Sequence, residues 1–249
     1  MPLTWTEFKL PPINLLSLPA WQVVLEKKSE RKMLVNKDNE AGYEQALKGI
    51  ALSFYDHAIP FEEFWTSERR ERTIHRSETL AFKGGGHNKF LASIFTWWIV
   101  QASRAWWQEY DTYKVATFSE GNDPLVVCLG LPVVGSSSNS ASTMHTLDKR
   151  QALMEDFEEG TTAYSLDAFN LALSDYRDPD SEYHKDITSL KQNLPEGWLQ
   201  ERTVCLNYMS LQNIVNQREL HRLKHWRTFV ESILNQVEHP ELLKQGVKL

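Results

Sequence analysis

The apolar positions of this chain fall into blocks whose spacing changes from one to the next, and each change predicts an element. Residues 1–25 contain LPPINLLSLPAWQVVL, cut by Pro11, Pro12 and Pro19 into short extended pieces, with WQVVL a predicted strand. From Tyr43 to Trp65 the spacing becomes helical, and Pro60 divides it. Gly84, Gly85 and Gly86 form a breaker. The stretch that follows, HNKFLASIFTWWIVQASRAWWQEYDTYKV, is dense in aromatics. Its FLASIFTWWIV part fits a buried strand or a buried helix equally, because periodicity does not separate the two in a short apolar run.

Residues 119–142 (SEGNDPLVVCLGLPVVGSSSNSAS) carry turn signals at both ends around a small apolar middle, which predicts an excursion, either a loop or a β-hairpin. ALMEDFEEG and SLDAFNLALSDY have helical spacing, and RDPDSEYHKD is a polar joint after them. The last block, 187–249, reads as mostly helical with a break at LPEGW (194–198). No internal repeat or low-complexity tract interrupts the chain. The expectation is one domain over residues 1–249, with 119–138 an insertion.

Composition narrows the classes. Hydrophobic residues make up 41% and charged residues 24%, an ordinary globular balance, so a sizeable core is expected. The formal net charge of -6 argues against a protein that grips nucleic-acid polymers, although it leaves room for a local basic pocket for one nucleotide. Two cysteines, Cys128 and Cys205, without paired spacing argue against a disulfide framework or a thiolate zinc site. No run of 18 apolar residues and no basic-then-apolar leader is present, so the expected setting is cytoplasmic, away from membranes (the host cytoplasm for a viral chain). GxGxxG, Walker A, HExxH and GxSxG patterns are all missing. His221 and His225 have the i, i+4 spacing of metal ligands, but no acidic or Cys partner completes the set, and no metal is expected.

The richest constellation is LPEGWLQERTVCLNYMSLQNIVNQRELHRLKHW, residues 194–226. NYMSLQNIVNQR is predicted to be a helix. Asn207 and Arg218 lie 11 residues apart, close to three turns, and flank Leu211 and Ile214 over roughly 16 Å. This arrangement suits a long ligand with a flat ring and an anionic group. A core-facing amphipathic helix with polar ends has the same spacing.

This block resembles the flavin-dependent thymidylate synthase family. Leu194, Pro195, Asn207, Ser210, Leu211, Asn213, Arg218 and Trp226 stand where that family has a Leu-Pro, a strand, a helix with two Asn, a Ser-Leu pair and an Arg, and a Trp or Gln region. The resemblance implies that Asn207 and Asn213 contact a flavin and that Arg218 binds a nucleotide. Lys191 replaces a nucleotide-holding Arg and keeps its charge without the bidentate fork. Met209 stands where the family has a flavin-contacting Arg. The family's Arg-His-Arg and Ser-x-Asn-Glu-x-Ser-x-Arg-Tyr signature has a diverged counterpart in TYKVATF (112–118) continued by NSASTMH (139–145). Tyr113 and Lys114 then replace His-Arg, Asn139 and Ser142 are kept, and Met144 and His145 replace Arg-Tyr. A second register runs directly through TFSE and uses Glu120. The run SSSNSASTMH also fits a plain linker with a helix cap at Ser142 or Thr143. His87, after the glycines, matches a family His near the flavin.

The resemblance implies an α+β fold of the thymidylate synthase-complementing-protein type, with a central, mostly antiparallel sheet flanked by long helices in a single domain. It implies a methyltransferase-type flavoenzyme of phage type that converts dUMP to dTMP with FAD, methylene-tetrahydrofolate as one-carbon donor and NADPH as reductant, assembled as a homotetramer. Lys114, Ser142, Lys191 and Arg218 would hold the nucleotide; His87, Tyr113, Asn139, Asn207 and Asn213 would hold the cofactor. Trp106, Trp107 and Tyr113 are candidates to stack on rings. The departures leave two alternatives open: a related flavoenzyme acting on another pyrimidine nucleotide (dCMP, or a hydroxymethyl product), and a non-catalytic descendant that binds a nucleotide or a protein.

Overall fold

The computed structural model describes residues 29–116, 137–140 and 142–246. The WQVVL strand and most of the 119–138 excursion therefore lie outside the described residues.

Strand β1 (Leu34–Ala41) leads through Gly42 into helix α1 (Tyr43–Ala51), which a 3-10 turn, Leu52–Phe54, extends. Pro60 caps the short helix α2 (Phe61–Phe64), and Thr66 caps α3 (Ser67–Leu80) by accepting the Arg69 N–H. The run left ambiguous between strand and helix splits in two. Lys89–Ser93 is a 3-10 turn, and Phe95–Ser103 is strand β2. The strand wins because the run alternates with period two once Ile94 is passed: Thr96, Trp98, Val100 and Ala102 are buried, while Phe95, Trp97, Ile99 and Gln101 are partly open. Helix α4 (Arg104–Ala116) follows with no linking residue.

Strand β3 (Ser137–Ser140) is the described end of the excursion. Helix α5 (Ala163–Arg177) and helix α6 (Ile187–Gln192) follow. Then come strand β4 (Leu199–Asn207), helix α7 (Tyr208–Arg218) and helix α8 (Lys224–Gln236). Two helical expectations need correction. In ALMEDFEEG, only Met154–Asp156 turns, as a 3-10 helix, and Phe157 is extended and bridges to Trp198. The block after residue 187 is helical over α6, α7 and α8 as expected, but the break at LPEGW is followed by a nine-residue strand, LQERTVCLN, as β4. Only the resemblance had implied a strand there.

The sheet order is β1-β2-β4-β3, antiparallel throughout, with a bulge in β1 at Asp38. One face carries the main core. Trp98, Val204 and Leu206 of the sheet pack with Trp106, Trp107 and Tyr110 of α4, Leu211, Ile214 and Val215 of α7, and Trp226 and Phe229 of α8. A second cluster, built on Phe157, Phe169, Leu173, Leu190 and Leu194, joins α5 and α6 beneath Trp198. Among the described residues, no helix is long and apolar enough to cross a membrane.

Gly42 sits where α1 leaves β1, at φ 102°, and a Cβ there would lie 2.1 Å from the Ser93 carbonyl oxygen. Gly42→Ala is expected to cost about 2 kcal/mol or more from strain and clash. In a thermal melt followed by circular dichroism, that corresponds to a fall in Tm of roughly 4–8 °C. An unchanged Tm would contradict the close packing of α1 on the Lys89–Ser93 turn.

Candidate functional site

Helix α7 begins at the last residue of β4. Asn207 is its N-cap, 6% exposed, and its side-chain oxygen accepts the Ser210 N–H at 2.8 Å. This cap ties the end of the central strand to the start of the helix. Tyr208 N–H donates to the Ile94 carbonyl, and the Gln212 amide donates to the carbonyls of Ala81 and Leu242, so α7 is held on three sides. The apolar stripe between Asn207 and Arg218 faces inward. Leu211 is 0% and Ile214 1% exposed. It is therefore core and not a ring-binding surface. Met209 and Asn213, one turn apart, are both half-buried, Met209 packing against the core, and the exposed positions of α7 are Asn216 and Gln217.

Arg218, the last residue of α7, is half-buried with its guanidinium carbon 4.9 Å from the centroid of the Trp226 ring. Trp226 is fully buried, and its indole N–H donates to the Glu109 carboxylate of α4 at 2.8 Å. Two residues further along α4, Asp111 accepts from Arg202 of β4 at 3.1 Å, and Arg202 lies over the Trp107 ring at 4.2 Å. Trp106 and Trp107 are 3% and 0% exposed, so they pack the core and do not offer a stacking face to a ligand. The Tyr110 hydroxyl is buried between them and α8, and burial pushes its pKa far up. Glu109 and Asp111 thus bring the second half of α4 against Trp226 and Arg202, one turn short of Tyr113 and Lys114. The side chains of Tyr113, Lys114 and Asn139 lie outside the described residues.

On the other side of the Lys89–Ser93 turn, a groove of about 940 Å³ opens between α1, α3 and the 83–93 segment. His87 is on its wall and exposed, as are Arg76, Lys83 and Lys89, with Phe54 and Phe90 supplying apolar surface. The walls are clamped by Glu44 of α1, which accepts from Arg70 of α3 and from the Trp65 indole, both at 2.9 Å. Burial would raise the Glu44 carboxyl, but these two donors outweigh it and hold it below its usual value. Since the Lys89–Ser93 turn packs on both α1 and α7, the groove and the α7 helix flank one short segment.

The remaining expected site residues lie elsewhere. Ser142 is exposed at the start of the Thr143–His145 turn, and its hydroxyl makes no capping bond. Lys191 is exposed near the end of α6. The turn after it meets the start of α4, where Ala105 N–H donates to the Glu196 carbonyl at 3.2 Å. Lys114 is ten residues further along α4, roughly 15 Å away at the helical rise. Within one chain, then, Lys191 belongs to the start of α4, and Arg218 lies beyond its middle. Among the described residues, His221 and His225 belong to no group of three or more metal-type side chains. The pattern gave no notice of the groove cations Arg76, Lys83 and Lys89, nor of Glu109 and Arg202. Their importance comes from contacts between distant segments.

No protein-family model and no curated protein matches the chain. Solved structures do match. One is flavin-dependent thymidylate synthase ThyX from Helicobacter pylori complexed with FAD and dUMP, with a TM-score of 0.61 at 16% identity over 86% of this chain and 99% of that one. Another structure of Helicobacter pylori ThyX with FAD and dUMP gives a TM-score of 0.59 at 17% identity, over 87% and 100% of the two chains. The α+β fold that the sequence resemblance implied is therefore the fold this chain has.

Glu109→Ala is expected to lower stability by about 1 kcal/mol by removing the acceptor of the Trp226 indole, and Glu109→Gln, which keeps an acceptor, by less than half of that. Denaturant titration of the two variants measures the difference. Equal losses would show that the α4–α8 hydrogen bond contributes nothing.

Proposed function

We propose that this chain is a diverged flavoenzyme of the thymidylate synthase type, which transfers a one-carbon unit to C5 of a pyrimidine deoxynucleotide. The reading takes dUMP as substrate, dTMP as product, FAD as bound cofactor, methylene-tetrahydrofolate as donor and NADPH as reductant. The observation that carries it is the coincidence of two independent features. The sequence run Asn207, Ser210, Leu211, Asn213, Arg218 forms one capped helix, and the fold around it is that of an enzyme solved with FAD and dUMP.

The groove fits a dinucleotide in size and charge. About 940 Å³ is near the upper end of the range for cofactor sites, and Arg76, Lys83 and Lys89 supply cations for a diphosphate. Bound FAD supplies the hydride, and the protein supplies position and electrostatics. His87 lies on the groove wall, where it would contact the cofactor. Asn207 and Asn213 lie across the Lys89–Ser93 turn from that groove, so their contacts with a cofactor, and those of Tyr113 and Asn139, would serve a site built by more than one copy of the chain. Arg218, with Lys114, Lys191 and Ser142, would hold the nucleotide phosphate. The stacking of Arg218 on a buried indole favours this role, because a guanidinium fixed in one orientation loses less freedom on meeting an anion. Lys191 lies near the start of α4 and Arg218 beyond its middle, so a site using both would draw on more than one copy of the chain, in keeping with an oligomer such as the expected homotetramer.

A second reading shares the cofactor but not the base. Met209, half-buried one turn from Asn213, stands at the position where the resembled family carries an Arg. An uncharged thioether there changes what the bound ring meets, and favours dCMP or another pyrimidine nucleotide as the alternative substrate.

Purified protein is expected to be yellow, with flavin absorbance at roughly 450 nm, or to become so on adding FAD. A colourless protein that does not take up FAD would sink both readings. Arg218→Ala is expected to weaken dUMP binding tenfold to a hundredfold, the loss of about 1.5–3 kcal/mol from a charged hydrogen bond. Isothermal titration measures this, and unchanged affinity removes Arg218 from the site. Tritium release from C5-labelled dUMP against dCMP chooses between the two substrates.

A further inference from the structure

Beside the large groove lies a smaller notch of about 150 Å³, lined by Ala51, Phe54, Arg69, Arg72, Thr73 and Arg76. The two cavities share Phe54 and Arg76 and so are continuous. The three arginines stand at i, i+3 and i+7 on α3, within an arc of about 60° and a span of roughly 10 Å. Two of them are held by aromatic rings. The Arg69 guanidinium carbon lies 3.8 Å from the Phe64 centroid, and that of Arg76 lies 4.2 Å from the Phe54 centroid. Among the described residues, neither has a carboxylate partner, and Arg72 has only the exposed Glu68 at 3.7 Å. Ring stacking uses the flat face of a guanidinium and leaves its edge N–H groups to bind an anion.

We infer that this notch is an anion subsite that takes a phosphate group of a ligand whose body lies in the adjoining groove. Size supports this. Whole small-molecule sites start at about 300 Å³, so the notch suits a phosphate or diphosphate group and is small for a whole ligand. Charge and geometry agree, because forked guanidinium edges match phosphate oxygens and three of the six lining residues are arginines. The inference rests on the proposed nucleotide reading only for the identity of the ligand's body. The notch's preference for phosphate is independent of it.

The test titrates the full chain with inorganic pyrophosphate and orthophosphate by calorimetry at constant ionic strength. Saturable one-to-one binding is expected, weakened tenfold or more in Arg72→Gln and further in the Arg69→Gln/Arg72→Gln double variant. Arg72 is exposed and packs on nothing in the core, so Arg72→Gln keeps the fold. Absence of saturable binding, or binding undiminished in the double variant, overturns the inference. FAD and dUMP titrated against the same variants identify the source of the phosphate. A parallel loss for one of them shows that it reaches the notch. Pyrophosphate binding that falls while FAD and dUMP binding is unchanged assigns the notch to a free phosphate or to another phosphorylated ligand. Pyrophosphate binding in a protein that takes up no FAD sinks the flavoenzyme reading and leaves the notch standing.

Discussion

The antiparallel pairing of β2 with β4 is the constraint on which the rest of this structure depends. The two strands match residue for residue, from Phe95 opposite Asn207 to Ser103 opposite Leu199. Each runs straight into a helix, β2 into α4 and β4 into α7. Because the strands are antiparallel, these helices leave from opposite ends of the ladder, roughly 27 Å apart at the strand rise. Both return over the same face, and Trp226 of α8 closes the gap between them. A slip of β4 by one residue against β2 would turn Val204 and Leu206 outward and bring Cys205 in. It would also move the start of α7 relative to Ile94, whose carbonyl accepts the Tyr208 N–H. The register thus fixes which residues are core and where Arg218 ends up.

Polar contacts secure what the core alone would leave loose. The inner side of α4 is aromatic, and aromatic packing is strong but tolerant of small rotations. Glu109 and Asp111 remove that freedom, one through the Trp226 indole and the other through Arg202. At the far edge, the Tyr208 hydroxyl bonds Glu40 and accepts the His239 N–H, so the chain after α8 is tied to β1 and to the start of α7. Burial first, and then the Glu40 carboxylate, push the Tyr208 hydroxyl far above its ordinary pKa, so it stays a neutral donor across the accessible pH range. These bonds share one logic. Each joins one element to a neighbour from a distant part of the sequence.

This logic explains what could be read in the sequence and what could not. The helix NYMSLQNIVNQR was legible because its period, its Asn cap and its terminal Arg all point the same way. The division at Pro60 was legible for a local reason as well. Strand β4 was harder, because LQERTVCLN is buried on one face only near its end, and its polar first half carries no strong alternation. Trp106 and Trp107 were candidates for a ligand because composition counts aromatics without saying what covers them; Trp226 and Phe229 of α8 cover Trp106, and Gln200 and Arg202 of β4 cover Trp107. Arg76 stood out in no local pattern. It gained a role only when α1 and the 83–93 segment were brought beside it to form a groove. Asn207 was legible as a residue of interest, but its cap is a structural job that the sequence spacing alone does not distinguish from ligand contact.

The chain's net charge also changes meaning once the fold is known. A total of -6 argues against a phosphate-binding surface only if charge is spread evenly. It is not spread evenly. Arg69, Arg72 and Arg76 share one side of α3, and Lys83, His87 and Lys89 continue the line into the groove. Fields in a concave, partly apolar site act over a Debye length of about 8 Å, so acidic residues elsewhere on the surface hardly reach it. The two rings under Arg69 and Arg76 add to this by holding the cations at the site without neutralising them, as carboxylates would. A net negative charge is therefore no argument against a local cluster of cations on α3 and the 83–93 segment.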